Sequence, residues 1–190
     1  MSNSERKPKL LLGITGASGM IFLKSFVDVL KDLDMVVHGI CSQSGREVLK
    51  MEIGLNPEDI TIVSKWFEPG DFSAPPSSGS SDYSFMAVLP CTMGSLASIA
   101  AGLSINLIHR AADVMLKERK KLVLAVRETP FNRNHLKNML DAHDAGAIIC
   151  PPMPSYYLLP KNLEQAAETY SWRLADQLGI AVPKRKRWKN

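Results

Sequence analysis

Five apolar runs set the rhythm of the chain: KLLLGIT (9–15), MVVHGIC (35–41), YSFMAVLP (83–90), KLVLAVR (121–127) and AIICP (147–151). Each is nearly continuous rather than alternating, which is how strands covered on both faces read. Between them, apolar residues recur at helical spacing over 22–33, 105–118 and 134–146, the last ending in Gly146 as a C-cap, and again over 162–179 after the final run. Strand and helix in alternation predict an α/β fold. A single three-layer domain over 9–183 would carry a doubly wound, mostly parallel sheet with right-handed crossovers. Such sheets receive ligands beyond the carboxyl ends of their strands, and the polar clusters of this chain stand at those ends.

One segment departs from the rhythm. Residues 67–82 (FEPGDFSAPPSSGSSD) hold ten Pro, Gly or Ser among sixteen, a linker composition. They nevertheless join two parts of one sheet, and long loops inside compact domains are often functional, so linker and site loop both stand at this point.

Composition adds bounds. With 190 residues, 45% hydrophobic and 22% charged, there is chain enough for one real core. The first apolar run is far shorter than the ~18 residues needed to cross a bilayer, so a cytoplasmic protein with no membrane partner is expected, its polar residues 1–8 disordered. Net charge is +4, of which the tail 184–190 (KRKRWKN) contributes +5, leaving −1 for the rest. The basicity is therefore a property of the tail, read as solvated. No nucleic-acid motif accompanies it. Cys41, Cys91 and Cys150 form no CxxC and each closes a predicted strand; they read as small buried hydrophobes rather than metal ligands or nucleophiles.

The candidate chemistry lies at strand ends. The first strand runs into GASG (16–19) and a helix, a tight turn whose backbone N–H groups can cradle an anion or cofactor, with the Ser18 hydroxyl beside them. The third glycine of the dinucleotide fingerprint is missing, which disfavours a hydride-transferring enzyme. SQSG (42–45) and CTMGS (91–95) open two further helices; capping explains one such joint, whereas three along one rim suggest a shared phosphate and ring-edge site. Arg110, Arg127 and Arg173 sit in or beside apolar segments and suit phosphate, against the alternative of ion pairs such as Arg110 with Asp113 or Lys117 with a neighbouring acid. Arg119 and Lys120 read as solvated. Glu128 beside Arg127 is either a proton carrier at a crevice mouth or a first-turn helix acid.

The run GASG, then SAPPSSGSS (73–81), PCTMGSLASIAAGLSINLIHRAADVMLKERKKLVLAVRETPF (90–131) and GAIICPPMPSYY (146–157) resembles the UbiX-type flavin prenyltransferases, in register from about Leu10 to Ile180. The resemblance implies a flavodoxin-like enzyme, once described as an aromatic acid decarboxylase. It would bind reduced FMN and join to it the dimethylallyl group of dimethylallyl phosphate without a metal. Prenylated FMN then serves UbiD-type decarboxylases. It also implies a homo-dodecamer with sites at subunit junctions. By position, Gly16, Ala17, Ser18, Ser42, the turn Thr92, Met93, Gly94 and Ser95, and Arg127 resemble the FMN contacts. Ser78, Lys117, Tyr157 and Arg173 resemble the group that holds the dimethylallyl phosphate. Glu128 matches the acid/base glutamate, with Ser18 beside it as the second catalytic residue.

The chain departs from the family at Met20, Phe22 and Leu23, where a small residue and a Tyr–Gly pair are usual, at Phe72 in place of tryptophan, and at Leu158 in place of histidine. These changes bear on flavin packing and pocket shape. Two other readings keep the fold. A flavin-dependent cysteine decarboxylase would carry a PxMNxxMW-like segment, but this chain has PPMPSYYLLP (151–160). An FMN carrier without prenyl transfer is separated from the enzyme by a test for the prenyl adduct.

Overall fold

The computed structural model describes residues 7–183 and 185–188. The expectation of a disordered segment over residues 1–8 lies outside these for 1–6; of the other two, Lys7 pairs with Asp34 and Pro8 accepts the Val36 N–H at 3.0 Å. Six strands, β1 (Lys9–Ile14), β2 (Val36–Cys41), β3 (Val63–Phe67), β4 (Phe85–Cys91), β5 (Lys121–Val126) and β6 (Ile148–Ile149), form one sheet in the order β3-β2-β1-β4-β5-β6. All pairings are parallel. The order reverses between β1 and β4, so the crevice of the doubly wound fold opens there.

The central strands are the continuous apolar runs. All of β4, all but the first residue of β5 and most of β1 are buried, because helices cover both faces. One core layer lies under α1 (Met20–Leu30), α2 (Gln43–Ile53) and α6 (Leu163–Leu178). The other lies under α3 (Met93–Ala100), α4 (Leu107–Lys117) and α5 (Arg133–Asp144).

Strand β3 is absent from the sequence reading. Its pattern VSKWF exposes Ser64 and Lys65, and it pairs with β2 alone, so as an edge strand it needs neither a continuous apolar run nor cover on both faces. The end of α5 also differs by one residue. Ala145 is the cap, and Gly146 follows it with φ 111°. Its N–H bonds to His143, and the Ala147 N–H to Ala142, which satisfies the last carbonyls of the helix.

Candidate active site

Three strand-to-helix turns meet at the switch point. Ser42 caps α2 by accepting the Gly45 N–H at 3.0 Å, and Thr92 caps α3 by accepting the Ser95 N–H at 3.1 Å. Thr15 ties the first turn to the third: its hydroxyl donates to the Pro90 carbonyl at 2.8 Å and accepts the Thr92 N–H at 2.9 Å. Gly16 and Gly45 are required by close approach. A Cβ on Gly16 would lie 2.5 Å from Ser44 Oγ, and one on Gly45 would lie 2.7 Å from the Ile14 carbonyl oxygen.

The turns differ in what they leave open. Among the described residues, the N–H groups of Gln43 and Ser44 on α2, and of Met93 and Gly94 on α3, have no acceptor in the chain. They are positioned for a ligand oxygen. The α1 terminus is partly filled instead: Glu52 accepts the Gly19 N–H at 2.9 Å and the Met20 N–H at 2.8 Å. Burial pushes the Glu52 pKa up, but bonds from Ser18, Met20 and Gly19 and the charge of Arg127 hold it below the ordinary value. Sequence reasoning missed this residue. A signal existed, since an acid in the last turn of α2 opposes that helix's own dipole and calls for another partner.

Glu128 is exposed and accepts the Thr129 N–H at 2.8 Å. Helix α5 begins only at Arg133, so Glu128 is no first-turn acid. Arg127 continues β5, its N–H bonded to the Cys91 carbonyl at 3.1 Å, which brings it to the rim beside the α3 turn.

The proline–serine loop is held down by α4 and the turn that follows it. Arg110 donates to the Ser77 carbonyl at 3.0 Å, and Lys120 donates to the Ser81 carbonyl at 2.9 Å. Lys120 is thus half-buried and engaged rather than solvated. A Cβ on Gly79 would meet the Lys117–Glu118 ion pair, so the loop packs on that pair. Ser78 shares a hydrogen bond with Ser80 at 2.9 Å. The ion-pair alternatives raised for two cations are present as well: Arg110 also bonds Asp113 at 2.7 Å, and Lys117 pairs with Glu118.

Tyr157 and Arg173 line a separate cavity of ≈ 150 Å³, with Thr169, Asp176, Arg185 and Trp188; neither Ser78 nor Lys117 belongs to it. The tail is not simply solvated there. Arg185 pairs with Asp176, and the Trp188 ring stands edge-on to Tyr157 with centroids 4.9 Å apart. The structure therefore gathers the residues matched to the flavin but leaves those matched to the donor phosphate in two groups.

The three departures after GASG lie on the core side of α1. Met20 and Leu23 are wholly buried in the core, and Phe22 stacks edge-on against Tyr170 at 5.3 Å. Phe72 is exposed at the loop. Burial raises the thiol pKa values of Cys41 and Cys91 to about 12, and Cys150 is half-buried.

The sequence model of the family described as Flavoprotein matches residues 1–169. The probable UbiX-like flavin prenyltransferase of Bacillus subtilis (strain 168) is 45% identical over 96% of this chain and 90% of its own length. Flavin prenyltransferase UbiX of Methanocaldococcus jannaschii is 41% identical over 95% of this chain and 98% of its own. The chain belongs to the UbiX-type flavin prenyltransferases. Among solved structures of this family, AnUbiX (PadA1) in complex with FMN and dimethylallyl pyrophosphate superposes with TM-score 0.94 at 34% identity, covering 97% of this chain and 99% of that one. A dodecameric FMN-dependent UbiX-like decarboxylase from Escherichia coli O157:H7 superposes with TM-score 0.91 at 35% identity, over 96% and 100% of the two chains. The flavodoxin-like doubly wound architecture expected from the sequence is the one found. Among the described residues no helix is long and apolar enough to cross a membrane.

Proposed function

We propose that this member of the family joins the dimethylallyl group of dimethylallyl phosphate to reduced FMN, in the cytoplasm and without a metal. Prenylated FMN would then pass to a UbiD-type decarboxylase. What carries the reading is the match, over nearly the whole chain, to a protein crystallised with FMN and dimethylallyl pyrophosphate.

The rim suits a phosphorylated ring. Two helix termini offer unpaired N–H groups and the Ser42 and Thr92 hydroxyls, while Gly16 and Ala17 keep the first turn free of large side chains. Reduced FMN, when bound, supplies the nucleophilic centres that accept the prenyl group. Gly16, Ala17, Ser18, Ser42, Thr92–Ser95 and Arg127 would hold it. Breaking the allylic C–O bond puts negative charge on the leaving phosphate, which Lys117, Arg173, Tyr157 and Ser78 would cradle. Glu128, aided by Ser18, would move the proton, and closure around the rim would keep water from the cationic fragment.

The two donor-phosphate groups are joined, in this reading, by neighbouring copies in a homo-dodecamer. Leu136 and Leu140 on α5, with Leu103 and Ile105 ahead of α4, are exposed and supply apolar surface for such contacts. The test is anaerobic incubation with reduced FMN and dimethylallyl phosphate, read by mass spectrometry. A flavin carrying one dimethylallyl group is expected. Tight FMN binding with no adduct from the phosphate or the pyrophosphate would replace the enzyme with a carrier.

A further inference from the structure

His109 of α4 is 5% exposed, and its two ring nitrogens have unequal fates. Nε2 lies 3.1 Å from Ser95 Oγ, whereas Nδ1 is buried with no partner. Ser95 Oγ also receives the Thr92 hydroxyl at 3.1 Å, so it sits between two residues that each offer it a bond.

The hydrogens can be arranged in two ways. If Ser95 donates to Nε2, the proton of the neutral ring sits on Nδ1, and a donor is sealed in the core unpaired. If Nε2–H donates to Ser95, both acceptor positions of that oxygen are filled and its own hydrogen is left free. The first strands an N–H at Nδ1; the second leaves Nδ1 a bare acceptor and frees the Ser95 hydrogen. A buried donor without an acceptor costs about 1–3 kcal/mol, and Nδ1 is buried with no partner in the chain. The Ser95 hydroxyl, though only 7% exposed, lies in the first turn of α3 beside the open N–H groups of Met93 and Gly94, where the oxygen of a bound flavin would accept it. Burial lowers the His109 pKa and keeps the ring in the neutral form this choice concerns.

We infer that His109 is a positioning residue for the flavin site: as the Nε2–H tautomer it fills the second acceptor position of Ser95 and turns that hydroxyl into a hydrogen-bond donor toward an FMN oxygen. The inference rests on the proposed binding of FMN at the Thr92–Ser95 turn. It adds a residue from outside the turn that sets how the turn presents its hydrogens.

The experiment measures FMN affinity by quenching of flavin fluorescence in the full chain, for wild type, Ser95→Ala, His109→Leu, His109→Gln and the Ser95→Ala/His109→Leu pair. Losing one directed hydrogen bond is expected to weaken binding roughly fivefold to tenfold in Ser95→Ala and in His109→Leu. The pair should be no weaker than either alone, since both remove the same bond. His109→Gln retains an N–H donor and should return to within about twofold of wild type. Multiplying effects in the pair, or a glutamine variant as weak as the leucine one, would overturn the inference while leaving FMN binding intact. Absence of FMN binding by wild type would overturn the functional reading and this inference together. Should His109→Leu fail to fold, the ¹⁵N shifts of the labelled imidazole in the FMN-bound protein decide the matter. A protonated Nε2 with a bare Nδ1 is expected, and the reverse overturns it.

Discussion

Glu52, in the last turn of α2, accepts the backbone N–H of Gly19 at 2.9 Å and so occupies part of the helix terminus that the GASG turn would otherwise offer to an anion. In the proposed reading a flavin phosphate would go to the open termini of α2 and α3, and GASG would meet another part of the ligand. The capping carboxylate is held below its ordinary value of 4.5. Its contribution is therefore complete above that value and is lost as pH falls through its lower folded-state value. Glu52→Gln is expected to destabilise the protein by about 0.5–1 kcal/mol at pH 7, as for a partly exposed cap, and the gap to wild type is expected to shrink as pH is lowered below 4.5. Calorimetric melting across a series of pH values from 7 downward checks this; a gap that stays undiminished throughout would mean that charge plays no part.

Gly16 faces Ser44 so closely that a methyl group has no room, with 2.5 Å to both Cβ and Oγ. Gly16→Ala should push the first turn off α2, costing about 1–3 kcal/mol and weakening FMN binding roughly tenfold. Adding Ser44→Gly should restore most of both. Failure of the second change to help would place the damage elsewhere in the turn.

For Glu128, exposed at the end of β5, substitution by glutamine preserves shape and removes the proton. Turnover is expected to fall by about 10²–10⁴ with FMN affinity retained. Single-turnover formation of the prenyl adduct, set against flavin titration, separates these effects. Unchanged turnover would take Glu128 out of the chemistry.

The Trp188 ring on Tyr157 links the tail to the cavity that contains Arg173. An aromatic pair of this kind contributes about 0.5–1.5 kcal/mol, so Trp188→Ala should raise KM for dimethylallyl phosphate roughly twofold to tenfold and leave FMN affinity alone. Arg173→Ala should act in the same direction and more strongly. A primary loss of FMN binding in either variant would contradict this division of the site.

The strands that cross the middle of the sheet were legible because a strand buried on both faces must be apolar throughout, as β1, β4 and β5 are. The three rim turns were legible for a similar reason, since glycines and capping hydroxyls mark strand-to-helix joints locally. Strand β3 was not, because an edge strand exposed on one side carries Ser64 and Lys65 without penalty. Nor was the seating of Glu52 on Gly19, the tie between Thr15 and Thr92, or the contact of His109 with Ser95. These join residues 33, 77 and 14 positions apart. The chain alone thus determined which elements form and which rim carries polar groups, because those depend on neighbours one turn or one pleat away. Only the tertiary structure decided which helix terminus stays open, which hydroxyl is free to donate and how the donor residues divide, because each of these depends on how separate layers pack.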